Sequence, residues 1–156
     1  MKHSKLKLIA FLVSISFLMS SCISTKTALY DSYSYQKTTE LKVEASKLMD
    51  EATSPYSIHT KEVEALLLNI EKLTEYEKNK PNNEITFSIW KVLNDKEKNL
   101  LAGFFKRWET KGILSQPFLE ESKKQVLDAF DLLIQYEIKK DKESKDAILD
   151  LINGNT

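Results

Sequence analysis

Cysteine occurs once in this chain, histidine twice, and glycine and proline three times each. Each scarcity excludes something. A lone thiol, Cys22, rules out a disulfide within the chain. Beyond His3 the one histidine is His59, three residues before Glu62, and two ligands do not make a zinc or di-iron site. No metal site is expected. Sandwiches and barrels spend glycine and proline on many tight turns, so three of each point to long helices with few connections. Basic excess is missing too, because 23 Lys and Arg balance 23 Asp and Glu, and nothing suggests a nucleic-acid surface. There is no Gly-x-Ser-x-Gly elbow, no phosphate-binding glycine loop and no Ser/His/Asp set. Carboxylate pairs such as Glu62 with Glu64, or Glu120 with Glu121, have lysines nearby and read as solvated surface. No residue is assigned a catalytic role, and the chain is expected not to be an enzyme.

The first 22 residues are ordered basic, apolar, small. "MKHSKLK" carries Lys2, Lys5 and Lys7 and no acid, and the apolar run Leu8–Met19 follows. Its 12 residues fall short of the roughly 20 that span a bilayer but suit an export signal. Leu18, Met19, Ser20, Ser21 and Cys22 resemble the lipobox of a bacterial lipoprotein precursor, with Met19 where leucine is commonest and a small residue before the cut. The resemblance covers about 22 of the 156 residues and bears on nothing after them. It implies cleavage before Cys22, a diacylglyceryl group on its sulfur, an N-acyl chain on its amine, and no other cofactor. An uncleaved membrane anchor is the other reading. Two or more acyl chains hold a protein firmly to a membrane. Ile23 follows the cysteine and no acid appears before Asp31. By the same resemblance, that favours the outer membrane, facing the periplasm. Residues 1–21 are then a signal peptide, 22–28 a lipidated tether and 29–156 the folded part, with 20 basic against 23 acidic residues after the cut, a net charge of −3.

The folded part is expected to be all-α, a compact bundle of four or five amphipathic helices. Tyr30, Tyr33, Leu41, Ala45, Leu48, Met49 and Ala52 share one helical face, which Lys37 and Thr38 interrupt. Pro55 breaks the ladder. Val63, Leu66, Leu67, Ile70 and Leu73 mark a second helix over about residues 61–79, ended by Pro81 and its asparagines. Residues 84–93 give a short third, with Ile85, Ile89, Trp90 and Leu93 on one side. Asn94 and Glu97 have capping-box spacing for a fourth, which carries Leu100, Leu101, Phe104, Phe105 and Trp108 and stops at Gly112. Gly103 within it permits a close approach by another helix, or a bend. Ser115 starts the last long helix, whose inner edge runs through Phe118, Ser122, Val126, Phe130, Leu133, Ile134 and Glu137. Ile138–Asp146 is a charged helical extension or a linker, the extension being favoured by Lys/Glu neighbours four apart. Residues 147–156 hold too many apolar side chains for a free tail, so this segment docks or binds something.

Two aromatic groups are the candidate interaction residues. Tyr30, Tyr33 and Tyr35 lie near Cys22, placed to touch lipid headgroups or another protein, unless Tyr30 and Tyr33 pack inward and leave Tyr35 exposed. Phe104, Arg107 and Trp108 combine residue types favoured at interfaces, although an aromatic stripe at helical spacing is more often core. The expected role is a lipid-anchored envelope protein. It would bind through its membrane anchor and an envelope partner, as a non-enzymatic accessory or structural subunit. The alternative is an immunity or inhibitor lipoprotein that blocks a toxin or lytic enzyme.

Overall fold

The all-α expectation holds in a computed structural model that describes residues 27–154 and contains six α-helices among them. They are α1 (Ser32–Asp50), α2 (Thr60–Lys78), α3 (Glu84–Leu93), α4 (Leu101–Lys111), α5 (Gln116–Lys139) and α6 (Lys142–Gly154). Two single-turn 3₁₀ segments, Glu51–Thr53 and Tyr56–Ile58, join α1 to α2. No strand occurs among the described residues, and none of their helices is long and apolar enough to cross a membrane. The expected signal segment and Cys22 lie outside the described residues.

The core is shared by all six helices. Met49 from α1, Ile70 from α2, Trp90 from α3, Phe105 and Trp108 from α4, Phe130 from α5 and Ile148 from α6 are fully buried. Trp90 meets Phe130 edge-on with ring centroids 5.9 Å apart, a favoured aromatic geometry. α1 lies between α2 and α5 and runs antiparallel to both. Tyr33 faces Tyr76 at one end of the α1–α2 pair, while Lys42 pairs with Asp131 and Lys123 with Asp50 (2.6 Å) along the α1–α5 seam.

The sixth helix exceeds the four or five expected because the charged stretch 138–146 is neither an extension nor a linker. Lys140 adopts a left-handed conformation (φ 50°), which ends α5 and reverses the chain within two residues. Asp141 then caps α6, accepting the Ser144 N–H at 2.9 Å. α6 folds back on α5 and α3 and delivers Ile148 to the core, with Leu151 and Ile152 packed against it, so the terminal apolar residues dock as anticipated.

Local capping accounts for two further differences. Asn94 and Glu97 do not start α4: the Glu97 N–H turns onto Asp95 Oδ1 (2.9 Å), and the helix begins at Leu101. The turn before α4 instead folds over Gly103, where an added Cβ would lie 1.7 Å from the Lys98 carbonyl oxygen. The close approach at Gly103 is therefore made by a turn's backbone, not by another helix. Gly112 ends α4 with φ 75°, a conformation that glycine adopts at no steric cost.

Candidate functional site

The first two turns of α1 bury polar residues. Its inward positions are Ser34 and Thr38, followed by Leu41, Ala45 and Met49. Of the three candidate interaction tyrosines, Tyr30 and Tyr33 are exposed, against the alternative that they pack inward, while Tyr35 is half-buried. The reason lies across the bundle, where the helix ends bring three carboxylates to one place.

Burying a carboxylate is costly unless its charge and lone pairs find partners. Glu77, near the end of α2, is fully buried and accepts hydrogen bonds from the Ser34 hydroxyl and from Asn83 Nδ2 (2.6 Å). Lys80 reaches into the same space: its Nζ donates to Ser34 Oγ (2.9 Å) and lies 3.2 Å from Asp31, 3.3 Å from Glu77 and 4.0 Å from Glu137. Glu137, in the last turn of α5, accepts the Asp31 backbone N–H at 2.7 Å and the Lys140 ammonium at 2.6 Å. Asp31 also caps α1, accepting the Tyr33 N–H (2.9 Å), and takes the Tyr76 phenol at 2.7 Å. Thus three carboxylates face two ammonium groups, and the start of α1 is tied to α2, the following loop and α5.

Two groups here, Asp31 and Tyr76, have their titration pushed away from neutrality. Partial burial works against ionisation of Asp31, but the Tyr76 hydrogen bond and the Lys80 charge outweigh it and hold the carboxyl at about 2. The Tyr76 phenol, held as a donor to that carboxylate and partly desolvated, is pushed up to about 12. Neither group is poised to exchange protons near pH 7, as general acid–base catalysis would need. The arrangement suits a lock on the first residues of the fold. Ala28, the last residue of the expected tether, is drawn into it: it is buried and its N–H bonds to Asn82 O at 2.9 Å.

At the opposite end of α1 the structure shows a constellation that sequence reading missed. Ser54 Oγ lies 2.8 Å from His59 Nε2, and His59 Nδ1 lies 2.7 Å from Glu62. The order of contacts is that of a serine–histidine–acid relay. The spacing Ser-x4-His-x2-Glu was visible, but only the 3₁₀ turn that folds Ser54 back towards α2 brings the groups together. These contacts tie the loop after α1 to the start of α2. Ser54 Oγ also donates to Glu51 O (2.7 Å), so its single proton is contested. Acyl transfer further needs N–H donors aimed at an oxyanion, and four donors near Ser54 are engaged elsewhere. Ser54 N bonds Glu51 O (2.9 Å), Tyr56 N bonds Gly112 O (2.8 Å), His59 N bonds Tyr56 O (2.9 Å) and Trp108 Nε1 bonds Ser54 O (3.0 Å).

The second aromatic group resolves into core and surface. Phe104 and Trp108 are buried, because α4 presents them inward with Phe105, and His59 packs on Trp108 with ring centroids 5.3 Å apart. Their rings are thus unavailable to a partner. Arg107 alone stays on the surface, its guanidinium 4.3 Å from the centre of the Phe118 ring. Among the described residues no group of three or more His, Asp or Glu side chains is arranged to hold a metal ion. Concavities follow the helix seams. One of 520 Å³ between α1 and α5 is lined by Lys42, Asp50, Lys123, Asp128 and Asp131. Another of 360 Å³ between α1 and α2 is lined by Glu44, Leu48, Glu62 and Leu66.

No protein-family model matches the chain, and neither a curated protein nor a solved structure matches it.

Proposed function

We propose that this chain is a lipid-anchored protein of a bacterial cell envelope, acting as a non-enzymatic binding or structural subunit at a membrane surface, in the outer membrane facing the periplasm. The observation that carries this reading is the short path from Cys22 to a locked fold. Ala28 and Asp31, six and nine residues after the lipobox cysteine, are already hydrogen-bonded to Asn82 and Glu137. A lipid on Cys22 would hold the domain close to the bilayer in a restricted orientation and raise its effective concentration near membrane-bound partners. Asp31 and Tyr76, held far from neutrality at one end, and the engaged N–H groups of Ser54, Tyr56 and His59 at the other, support binding over catalysis.

The test has two arms. Cys22→Ser should abolish acyl labelling and processing at residue 22, and unchanged labelling would refute the anchor. Crosslinking in the native envelope should recover one stoichiometric envelope complex. Recovery of a foreign toxin or lytic enzyme in its place would favour an inhibitor role, which the exposed Tyr30 and Tyr33 would also suit.

A further inference from the structure

We propose that the surface formed by Leu29, Tyr30, Tyr33 and Tyr76 lies in the headgroup zone of the same membrane that carries the anchor, so that this end of the bundle is a second, non-covalent membrane contact. The inference rests on the lipid-anchor reading and deepens it. Leu29 is 87% exposed, Tyr30 55%, Tyr33 46% and Tyr76 41%. These side chains share one end of the bundle: Leu29 and Tyr30 precede α1, Tyr30 packs on Tyr35 with ring centroids 6.4 Å apart, and Tyr33 packs on Tyr76 at 4.8 Å. Tyrosines concentrate where an apolar body meets a wet polar edge, as at a bilayer interface.

Chain length commits the patch to that occupant. Cys22 and Leu29 are seven residues apart, and seven residues span at most about 25 Å even when fully extended. The hydrogen bonds of Ala28 and Asp31 remove slack on the folded side of that path. α1 has 19 residues and is therefore about 28 Å long. It carries the loops that hold Ile58 and Ile113, 69% and 54% exposed, to the far end of the bundle. The two ends differ in what an anchored bilayer can reach. Charge does not select anionic lipid, since Lys37 pairs with Glu40 (2.6 Å) and Lys78 with Glu75 (3.2 Å) beside the patch. Zwitterionic headgroups are the partner this surface fits.

Hydroxyl-radical footprinting of the full lipidated protein in phosphatidylcholine vesicles, read residue by residue by mass spectrometry, tests this within one molecule. Oxidation of Leu29, Tyr30, Tyr33 and Tyr76 should fall about fivefold or more, toward the level of buried Tyr136, as rings in an interfacial belt leave bulk water. Ile58 and Ile113 should stay reactive. Acyl labelling and vesicle co-sedimentation are scored on the same sample. If the protein is acylated and vesicle-bound but the four residues oxidise in the order of their exposure, the membrane contact is overturned while the anchor stands. If it is neither acylated nor bound, the anchor reading fails and takes this inference with it.

Discussion

Replacing Gly103 by alanine sets two effects against each other. Helix propensity alone favours alanine by about 1 kcal/mol inside a helix. The fold opposes it, because the new Cβ would lie 1.7 Å from the Lys98 carbonyl oxygen and 2.9 Å from its carbon. An ordinary carbon–oxygen contact is about 3.3 Å, so the turn must retreat by about 1.6 Å. The obstacle is backbone, not the end of a flexible side chain. Moving it pulls on Leu100 and Leu101, both buried at the start of α4. Overpacking of this kind costs about 1–3 kcal/mol or more and outweighs the propensity gain, so we expect a net loss of about 2 kcal/mol. The other two glycines supply controls, since neither would meet an atom within 4 Å. Gly112→Ala should cost about 1–2 kcal/mol from its φ of 75° alone. Gly154→Ala, at the end of α6, should be neutral or stabilise by less than about 1 kcal/mol. Urea midpoints followed by circular dichroism, at unchanged m, give the ranking. Gly103→Ala as stable as the parent would refute the steric argument.

Two further substitutions probe the polar residues. Asp31→Asn keeps an efficient N-cap but removes the charge held by Lys80 and Tyr76. The carboxyl is lowered from 3.8 to about 2, so its contribution is complete above pH 3.8 and is lost as the pH falls through about 2. After screening by solvent, the gap between parent and variant should be about 1–2 kcal/mol at pH 7 and should close between pH 4 and 2; a gap independent of pH contradicts the assignment. Thr86→Val removes a buried hydroxyl without a hydrogen-bond partner and should stabilise by about 1 kcal/mol in urea unfolding, whereas a loss of that size would mean that the hydroxyl is satisfied.

The sequence was legible where burial is apolar and contacts are local. α2 and α3 appear within a residue of their expected bounds, because Val63, Leu66, Ile70 and Leu73, then Ile89, Trp90 and Leu93, report the buried face directly. Glu137 was correctly placed on the inner edge of α5, although only the structure shows why a carboxylate belongs there. α1 was misread in its first turns because Ser34 and Thr38 replace apolar residues on the buried stripe. The partner that justifies Ser34 is Glu77, 43 residues away, and no periodicity carries that information. The relay-like contact of Ser54, His59 and Glu62 was hidden for a local reason: its geometry depends on a 3₁₀ turn, which sets direction without leaving a hydrophobic pattern. The reversal at Lys140 was concealed because a lysine occupies a conformation for which glycine or asparagine is the usual signal.

The position of α1 between α2 and α5 fixes an order of events during synthesis. Its contacts with α2 close over a short hairpin, but Lys42 and Asp131 are 89 residues apart, and Asp31 and Glu137 are 106 apart. Non-local contacts wait until both partners exist, and a growing chain is made from its N-terminus. Among the described helices α1 is therefore the first to be translated and among the last to be seated. A nascent chain that stops short of residue 116 holds an α1–α2 hairpin with Leu41, Ala45 and Met49 still lacking α5, and cannot settle into the finished fold.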